Sequence, residues 1–314
     1  MSNILFIGGA GFIGSNLIQV FVKSERYKIF VFEPIFANTN RLVDVGDKIT
    51  IIRGSIADFD LLKCVIEDHK INIVVHLVST LVPGSTYEDF KREFENVVFP
   101  TSRLMELCAE KGIKFIFFSS GGTVYGNSKR GEKFKETDTL SPISYYGLTK
   151  QIIESNILFE NRRGKLNYLI IRPSNPFGQG QALHGNQGFI AVAIGKILGD
   201  KPIEVWGDGS SVRDFLYIND LADAFYKLVE TNVNNEIVNI GSGYGYSVND
   251  IIDRLHRCID IPFNVVYKDS RSVDVNSMVL DISKLKSLIE VKHTHLEDGI
   301  KMFFEYVKQA INKK

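Results

Sequence analysis

The first half of the chain alternates short apolar segments with longer segments in which apolar residues recur at helical spacing. The short segments are rich in Val, Ile and Phe, as is typical of strands buried on both faces of a sheet. They lie at residues 4–7, 29–32, 49–52, 73–76 and 115–118. The helical segments lie at residues 15–23, 59–68, 94–111 and 146–159. This alternation predicts βαβ units and a doubly wound α/β domain with a parallel sheet.

The pattern loosens after residue 172, where a stretch rich in Pro and Gly extends to residue 188. Beyond it, helical spacing returns at residues 189–198, 220–230, 248–259 and 296–310, and short strand patterns occur at 203–206, 237–240 and 265–267. We therefore predict a first domain over residues 1–175 and a smaller mixed domain over residues 176–314.

Composition narrows the class of protein. The 37 basic residues equal the 37 acidic ones, so the charge argues against a nucleic-acid surface or a membrane-binding patch. Cys64, Cys108 and Cys258 are too far apart for a disulfide framework or a zinc ribbon, and we predict no metal site. The apolar N-terminus has no preceding basic residue, and the longest apolar run is too short to span a bilayer. We expect a cytoplasmic protein that acts on a small molecule.

A glycine-rich loop follows the first predicted strand. Residues 8–14 read Gly-Gly-Ala-Gly-Phe-Ile-Gly and lead into a helical pattern. Glycines at this spacing allow a tight turn, close approach of the backbone to a pyrophosphate, and close packing of helix on strand. The helix N-terminus then offers free N–H groups to the phosphates. The loop predicts a dinucleotide site.

An acidic residue ends the second predicted strand. Glu33 lies 19 residues after Gly14, a spacing that suits an acid accepting hydrogen bonds from a ribose 2′-hydroxyl. A carboxylate there repels a 2′-phosphate, so NAD is favoured over NADP.

A tyrosine and a lysine lie four residues apart in the helical pattern at 146–159. Tyr146 and Lys150 therefore share one helix face. A nearby ammonium favours the phenolate, so Tyr146 is predicted to act as a base on a substrate hydroxyl.

Taken with these features, the chain resembles the extended short-chain dehydrogenases/reductases, in particular the NAD-dependent nucleotide-sugar epimerases and dehydratases. The resemblance covers nearly the whole chain. It rests on residues 8–14, 76–77, 96, 119–120, 124–126, 146, 150, 172–175, 206–209, 213–215, 271 and 274. It implies a Rossmann domain that carries NAD, a C-terminal domain that binds the nucleotide sugar, and a segment that returns to the first sheet. It is similar above all to UDP-glucose and UDP-N-acetylhexosamine 4-epimerases.

The resemblance also implies roles for individual residues. Tyr146 would deprotonate the sugar 4-hydroxyl, and Lys150 would hold the nicotinamide ribose and lower the tyrosine pKa. The implied cofactor contacts are Gly8, Gly11, Phe12, Ile13, Gly14, Glu33, Ser55, Ile56, Leu77, Ser119, Tyr146, Lys150 and Pro173. The implied substrate contacts are Gly121, Thr123, Asn175, Arg213, Arg271 and Asp274. A homodimer through the helices at 94–111 and 146–159 and a role in polysaccharide biosynthesis are likewise implied.

The chain departs from the family pattern at three places. Ile7 stands before the glycine loop where Thr is usual, and Ser55 stands where an acid usually contacts adenine. The family's catalytic Ser or Thr falls on Gly121, so either Ser120, Thr123 or a water supplies the hydroxyl, or the tyrosine acts without one. The acid pair of the 4,6-dehydratases is also absent, since Gly122 and Thr123 stand there.

The leading hypothesis is therefore reversible epimerisation at C4 of a UDP-hexose or UDP-N-acetylhexosamine, with NAD held throughout. The alternative is a 4-dehydrogenase or 4-ketoreductase, for example of a GDP- or dTDP-sugar, with exchangeable NAD. A non-catalytic NAD-binding protein is a third reading, against which the Tyr146 and Lys150 pair argues.

Overall fold

A computed structural model describes residues 2–128, 131–164, 166–185, 187–269 and 276–312. The first part of the chain runs β1 (Ser2–Ile7), α1 (Phe12–Ser24), β2 (Tyr27–Glu33), β3 (Ile49–Arg53), α2 (Phe59–Asp68), β4 (Ile73–His76), α3 (Tyr87–Glu93), α4 (Phe99–Lys111), β5 (Lys114–Phe118), α5 (Gly121–Val124), α6 (Tyr145–Arg162) and β6 (Tyr168–Pro173). A 3₁₀ helix over Asn40–Lys48 precedes β3, and a π-helical turn over Phe94–Val98 joins α3 to α4.

The rest of the chain forms shorter strands between helices. It runs β7 (Asn175–Phe177), α7 (Phe189–Leu198), β8 (Ile203–Trp206), β9 (Val212–Tyr217), α8 (Ile218–Glu230), β10 (Glu236–Ile240), β11 (Gly245–Ser247), α9 (Val248–Cys258), β12 (Val265–Lys268), β13 (Ser277–Met278), α10 (Ser283–Leu288) and α11 (Leu296–Asn312).

Seven strands form one parallel sheet in the order β3-β2-β1-β4-β5-β6-β10. Side chains alternate between its faces, so Ile4 and Phe6 of β1 join one core cluster while Leu5 and Ile7 join the other. Both faces are covered by helices, which explains the continuous apolar runs in the strands. The predicted doubly wound sheet is confirmed.

The second sheet is smaller and mixed. Strand β9 pairs in parallel with β7 and β13 and antiparallel with β11, and β8 and β12 form a separate parallel pair. The later half of the chain also contributes β10 to the large sheet. The division at residue 175 stays a prediction.

The helix predicted over residues 94–111 differs from the structure at its start. Residues 94–98 form the π-helical turn, in which the Phe99 N–H donates to the Phe94 carbonyl. Pro100 follows at the start of α4 and has no N–H to donate into an α-helical ladder. Single π turns of this kind are frequent at functional sites.

Candidate active site

The site begins where the order of the sheet reverses, between β1 and β4. In parallel sheets of this type, ligands bind beyond the carboxyl ends of the strands at this point. Ile7 and His76 are paired across it, so the glycine loop after β1 lies beside Leu77, whose N–H donates to the Ile7 carbonyl at 3.0 Å.

The glycines of the loop are needed for different reasons. Gly8 has a φ of +81°, which side chains rarely adopt. A Cβ on Gly14 would lie 2.6 Å from the Gly9 carbonyl oxygen, so this glycine allows α1 to pack against the loop. A Cβ on Gly11 would meet nothing closer than 3.5 Å. The protein itself therefore does not exclude a side chain at Gly11, and a ligand approaching its backbone would.

Helix α1 begins at this loop without a side-chain cap and without an acidic residue in its first turn. The first N–H groups of a helix lack intrahelical partners and carry the positive end of its dipole. The N-terminus of α1 is thus open to an anionic group such as a pyrophosphate.

Glu33 lies at the end of β2 and is 5% exposed. Its Oε1 accepts a hydrogen bond from the Ala10 N–H at 2.6 Å, which ties the carboxylate to the glycine loop. Burial raises the pKa of Glu33, and the Ala10 hydrogen bond and the charge of Arg53 oppose that shift. The structure places the acid beside the loop, as the spacing predicts.

The turn after β3 contains the residues at the predicted adenine position. Ser55 is exposed, and its Oγ accepts from the Ala57 N–H at 3.2 Å, while Ile56 is buried. Asp58 caps α2 by accepting from the Leu61 N–H at 3.1 Å. Adenine contacts at Ser55 and Ile56 stay a prediction.

A cavity of about 250 Å³ joins the loop to the tyrosine and lysine. Nine predicted cofactor residues line it: Gly8, Gly11, Phe12, Ile13, Gly14, Leu77, Ser119, Tyr146 and Lys150. Ser79, Leu81, Phe118 and Gln187 also line it and were not predicted. A larger cavity beside Tyr125 contains none of the predicted site residues. The smaller cavity is therefore the candidate active site.

Tyr146 and Lys150 lie on the face of α6 that is turned to this cavity. The Lys150 Nζ donates to the Phe118 carbonyl at 2.9 Å and lies 5.7 Å from the centre of the Tyr146 ring. Burial lowers the pKa of Lys150 to about 8, against the opposing charges of Glu93 and Glu154. Burial also raises the pKa of Tyr146. The pKa of Tyr146 is thus raised on balance, which is opposite to the lowered pKa that the resemblance implies.

The structure bears on which hydroxyl lies near Tyr146. The Ser120 side chain interacts with the Tyr146 phenol and lowers its pKa. A Cβ on Gly121 would meet the Leu280 side chain at 2.8 Å and the Arg172 carbonyl oxygen at 3.1 Å. A side chain at position 121 would therefore point into the core, so a hydroxyl there would have no room. Thr123 Oγ1 is buried without a hydrogen-bond partner among the described residues.

The predicted substrate residues lie in different surroundings. The Asn175 Nδ2 donates to the Asp214 carbonyl at 3.0 Å, and its Oδ1 lies 3.5 Å from where a Cβ on Gly122 would be. Arg213 is partly exposed on β9, and its Nη1 donates to the Val212 carbonyl at 2.9 Å. Pro173 is buried at the end of β6. Arg271 and Asp274 lie outside the described residues.

Sequence reasoning missed two buried carboxylates near Lys150. Glu154 lies one helical turn after Lys150 on α6 and forms a two-pronged ion pair with Arg172, with N–O distances of 3.0 and 2.5 Å. Glu93, at the end of α3, is 1% exposed and accepts hydrogen bonds from Ser79 and Thr80. A glutamate in a helical pattern gives no sign of burial, although Glu93 lies only three residues before the family position Asn96.

NAD fits this set of residues. The open space at Gly11, the uncapped N-terminus of α1 and the Glu33 carboxylate suit a dinucleotide. Within the cavity, the Ser119 Oγ is buried and has no hydrogen-bond partner among the described residues, so it is available to a ligand. No group of His, Cys, Asp or Glu in the described ranges is arranged to hold a metal ion. Likewise, no helix in these ranges is long and apolar enough to cross a bilayer.

Comparison with known proteins agrees with this geometry. The family model "NAD dependent epimerase/dehydratase family" matches residues 4–241. A putative UDP-glucose 4-epimerase of Methanocaldococcus jannaschii is 32% identical, with 97% of this chain and 98% of the relative covered. A dTDP-4-dehydro-6-deoxyglucose reductase of Escherichia coli is 31% identical, with 98% of each chain covered. The solved UDP-glucose 4-epimerase of Thermotoga maritima has a TM-score of 0.91 at 29% identity and covers 98% of this chain and 99% of its own.

The chain therefore belongs to the NAD-dependent epimerase/dehydratase family. The family resemblance and the prediction of NAD as the cofactor are confirmed.

Proposed function

We propose that this member of the family epimerises a UDP-hexose or UDP-N-acetylhexosamine at C4. The observation that carries the proposal is the cavity in which Tyr146 and Lys150 share a wall with the dinucleotide loop. A base there is placed to act on a sugar hydroxyl while the adjoining loop holds the cofactor. The putative UDP-glucose 4-epimerase of M. jannaschii and the UDP-glucose 4-epimerase of T. maritima support the choice of reaction.

Tyr146 accepts the proton of the sugar 4-hydroxyl in the forward step. It returns a proton after the 4-keto sugar has rotated in the site to present its other face. Ser120 interacts with the phenol and favours the phenolate. The Lys150 ammonium lies 5.7 Å from the centre of the Tyr146 ring. When bound, NAD would accept the hydride from C4 and later return it, and its oxidised nicotinamide ring would carry a positive charge. Lys150 also presents an ammonium to the cofactor ribose.

The nucleotide sugar is bound on the side of the second sheet. Asn175 is oriented by its bond to the Asp214 carbonyl and directs its oxygen toward the space beside Gly122. Arginine side chains match diphosphate oxygens, and Arg213 and Arg271 are proposed for that role. Asp274, Thr123 and the backbone of Gly121 are proposed sugar contacts.

A homodimer through α4 and α6 belongs to the same proposal. Phe99 on α4 is 61% exposed and Phe159 on α6 is 50% exposed, so each of the two helices presents an aromatic side chain that a partner could cover. Sedimentation velocity tests this proposal, since a monomer at all concentrations would contradict it.

The reaction is tested by proton NMR of the purified protein with UDP-glucose, and separately with UDP-N-acetylglucosamine, with no cofactor added. We expect a new anomeric signal from the C4 epimer, because an epimerase returns the hydride and needs no free NAD. Failure to form the epimer from any UDP-hexose or UDP-N-acetylhexosamine, with the cofactor bound, would contradict the proposal.

The reductase of E. coli favours a second candidate, a nucleotide-sugar 4-ketoreductase, because its similarity nearly equals that of the M. jannaschii epimerase. The same tyrosine would then donate a proton to a 4-keto sugar. Consumption of free NADH with a dTDP-4-keto-6-deoxyhexose, together with no epimerisation of UDP-sugars, would establish this alternative.

A further inference from the structure

Glu93 is a buried carboxylate behind one wall of the cavity. It is 1% exposed, and its two oxygens accept from the Ser79 Oγ at 3.0 Å, from the Thr80 N–H at 3.1 and 3.3 Å, and from the Thr80 hydroxyl. Ser79 and Leu81, on either side of Thr80, line the cavity itself. Glu93 thus fastens the segment 79–81, and with it part of the cofactor wall.

The charge of Glu93 also reaches Tyr146 and Lys150, since it acts on the titration of both groups. Among the described residues, no lysine or arginine forms an ion pair with Glu93, and its hydrogen-bond donors are neutral. A buried carboxylate is costly unless a positive charge compensates it. Glu93 raises the pKa of Lys150, so the Lys150 ammonium is the cation on which the charge of Glu93 acts.

The other charged groups around Lys150 differ from Glu93 in their surroundings. Glu154 also raises the pKa of Lys150, but it is engaged by the Arg172 guanidinium through two short bonds. His76 on β4 is fully buried, and burial lowers its pKa to about 3, so it is neutral near pH 7. Tyr146 becomes anionic only when it acts as the base. Glu93 is therefore the carboxylate near Lys150 without a competing ion pair in the described part of the chain.

We propose that Glu93 is a positioning residue of this active site, which holds the segment 79–81 against the cavity and places a buried negative charge behind the wall that faces Tyr146 and Lys150. The π-helical turn begins directly after Glu93, so the irregular backbone lies next to the residue that carries this role. The role rests on the proposed function only in treating Tyr146 and Lys150 as the working pair.

The effect of the buried Glu93 charge is tested by titrating Tyr146 without substrate, by NMR of protein labelled on the tyrosine Cζ, with the signal assigned through Tyr146→Phe. Glu93 raises the pKa of Tyr146, so Glu93→Gln should move the Tyr146 midpoint to lower pH by at least about half a unit. The control is Glu95→Gln, because Glu95 is exposed on the adjacent turn and should leave the midpoint unchanged. An unchanged midpoint in Glu93→Gln would overturn the proposed action of the Glu93 charge on the active site.

The holding of segment 79–81 is tested by NAD affinity, measured by calorimetry on cofactor-free protein. Glu93→Asp keeps the charge but withdraws the carboxylate from its donors, and should weaken NAD binding by about tenfold, while Glu95→Asp should not. This variant also decides the matter if Glu93→Gln does not fold. NAD affinity equal to that of the parent protein would refute the positioning role. Neither measurement requires turnover, so a wrong choice of sugar substrate would leave both results unaffected.

Discussion

Two buried glutamates flank Lys150, and their surroundings differ. Glu154 meets Arg172 in a two-pronged ion pair, and the Arg172 Nη1 also donates to the Tyr125 hydroxyl at 2.8 Å. Glu93 meets only neutral donors of the segment 79–81 among the described residues. Burial of a carboxylate therefore does not by itself define its role. Glu154 is paired with an arginine of the framework, whereas Glu93 has no ion-pair partner among the described residues and is bonded to a segment that lines the active site.

The largest expected effect concerns Tyr146, the proposed base in the active site next to which Glu93 lies. Tyr146→Phe removes the proton acceptor and should lower the rate of C4 epimerisation by about 10²–10⁴-fold. The free energy of unfolding should change little, because no buried charge is removed. Rates come from product NMR and stability from urea unfolding. Activity within a few-fold of the parent protein would refute the assignment of Tyr146 as the base.

The framework side is tested at Arg172. Arg172→Met leaves Glu154 buried without its partner and should lower the free energy of unfolding by about 3–5 kcal/mol, measured by urea denaturation. The matched double variant, Arg172→Met with Glu154→Leu, removes both charges and should recover much of the loss. If the single variant were as stable as the double one, the Arg172 guanidinium would not be needed to compensate the buried charge of Glu154.

The hydroxyl beside Tyr146 is expected to have a smaller effect. Ser120→Ala should lower the epimerisation rate by about 10–100-fold, because Ser120 favours the phenolate. Thr123→Val serves as the comparison, because the Thr123 hydroxyl is buried but has no hydrogen-bond partner among the described residues. A larger loss in Thr123→Val than in Ser120→Ala would transfer the role to Thr123.

The smallest expected effect is the pH dependence of stability that His76 causes. Its Nε2 is 2.9 Å from the Thr101 hydroxyl, and its pKa falls from 6.5 to about 3 on burial. Between these values the unfolded chain binds a proton that the folded protein does not, so stability is full above about pH 6.5 and falls as the pH is lowered. The slope from this group is about 1.4 kcal/mol per pH unit.

This slope is measured by urea unfolding between about pH 6.5 and pH 5, above the range in which most carboxylates titrate. His76→Gln should flatten the curve, while His184→Gln, at an exposed position, should not. Parallel curves for the parent protein and His76→Gln would show that His76 is not buried in its neutral form.

Features that depend on local spacing were predictable from the sequence. The glycines at 8–14 and the four-residue separation of Tyr146 and Lys150 are set by the geometry of one loop and one helix. The alternation of short apolar strands and helices likewise specifies a parallel sheet, because each strand needs a helix to return the chain. These local features are enough to indicate the family and NAD without any tertiary contact.

The tertiary structure alone decided which side chains meet across the fold. Counting along the sequence places the family hydroxyl at Gly121, but Leu280, far along the chain, occupies the space a side chain there would need, and Ser120 lies beside the tyrosine. The burial of Glu93 depends on its contacts with Ser79 and Thr80 in the irregular segment after β4, which no helical period reveals. The physical reason is that electrostatics and packing act through space. Periodicity along the chain therefore determined the elements and their chemistry, and the folded contacts determined which charge acts on which group.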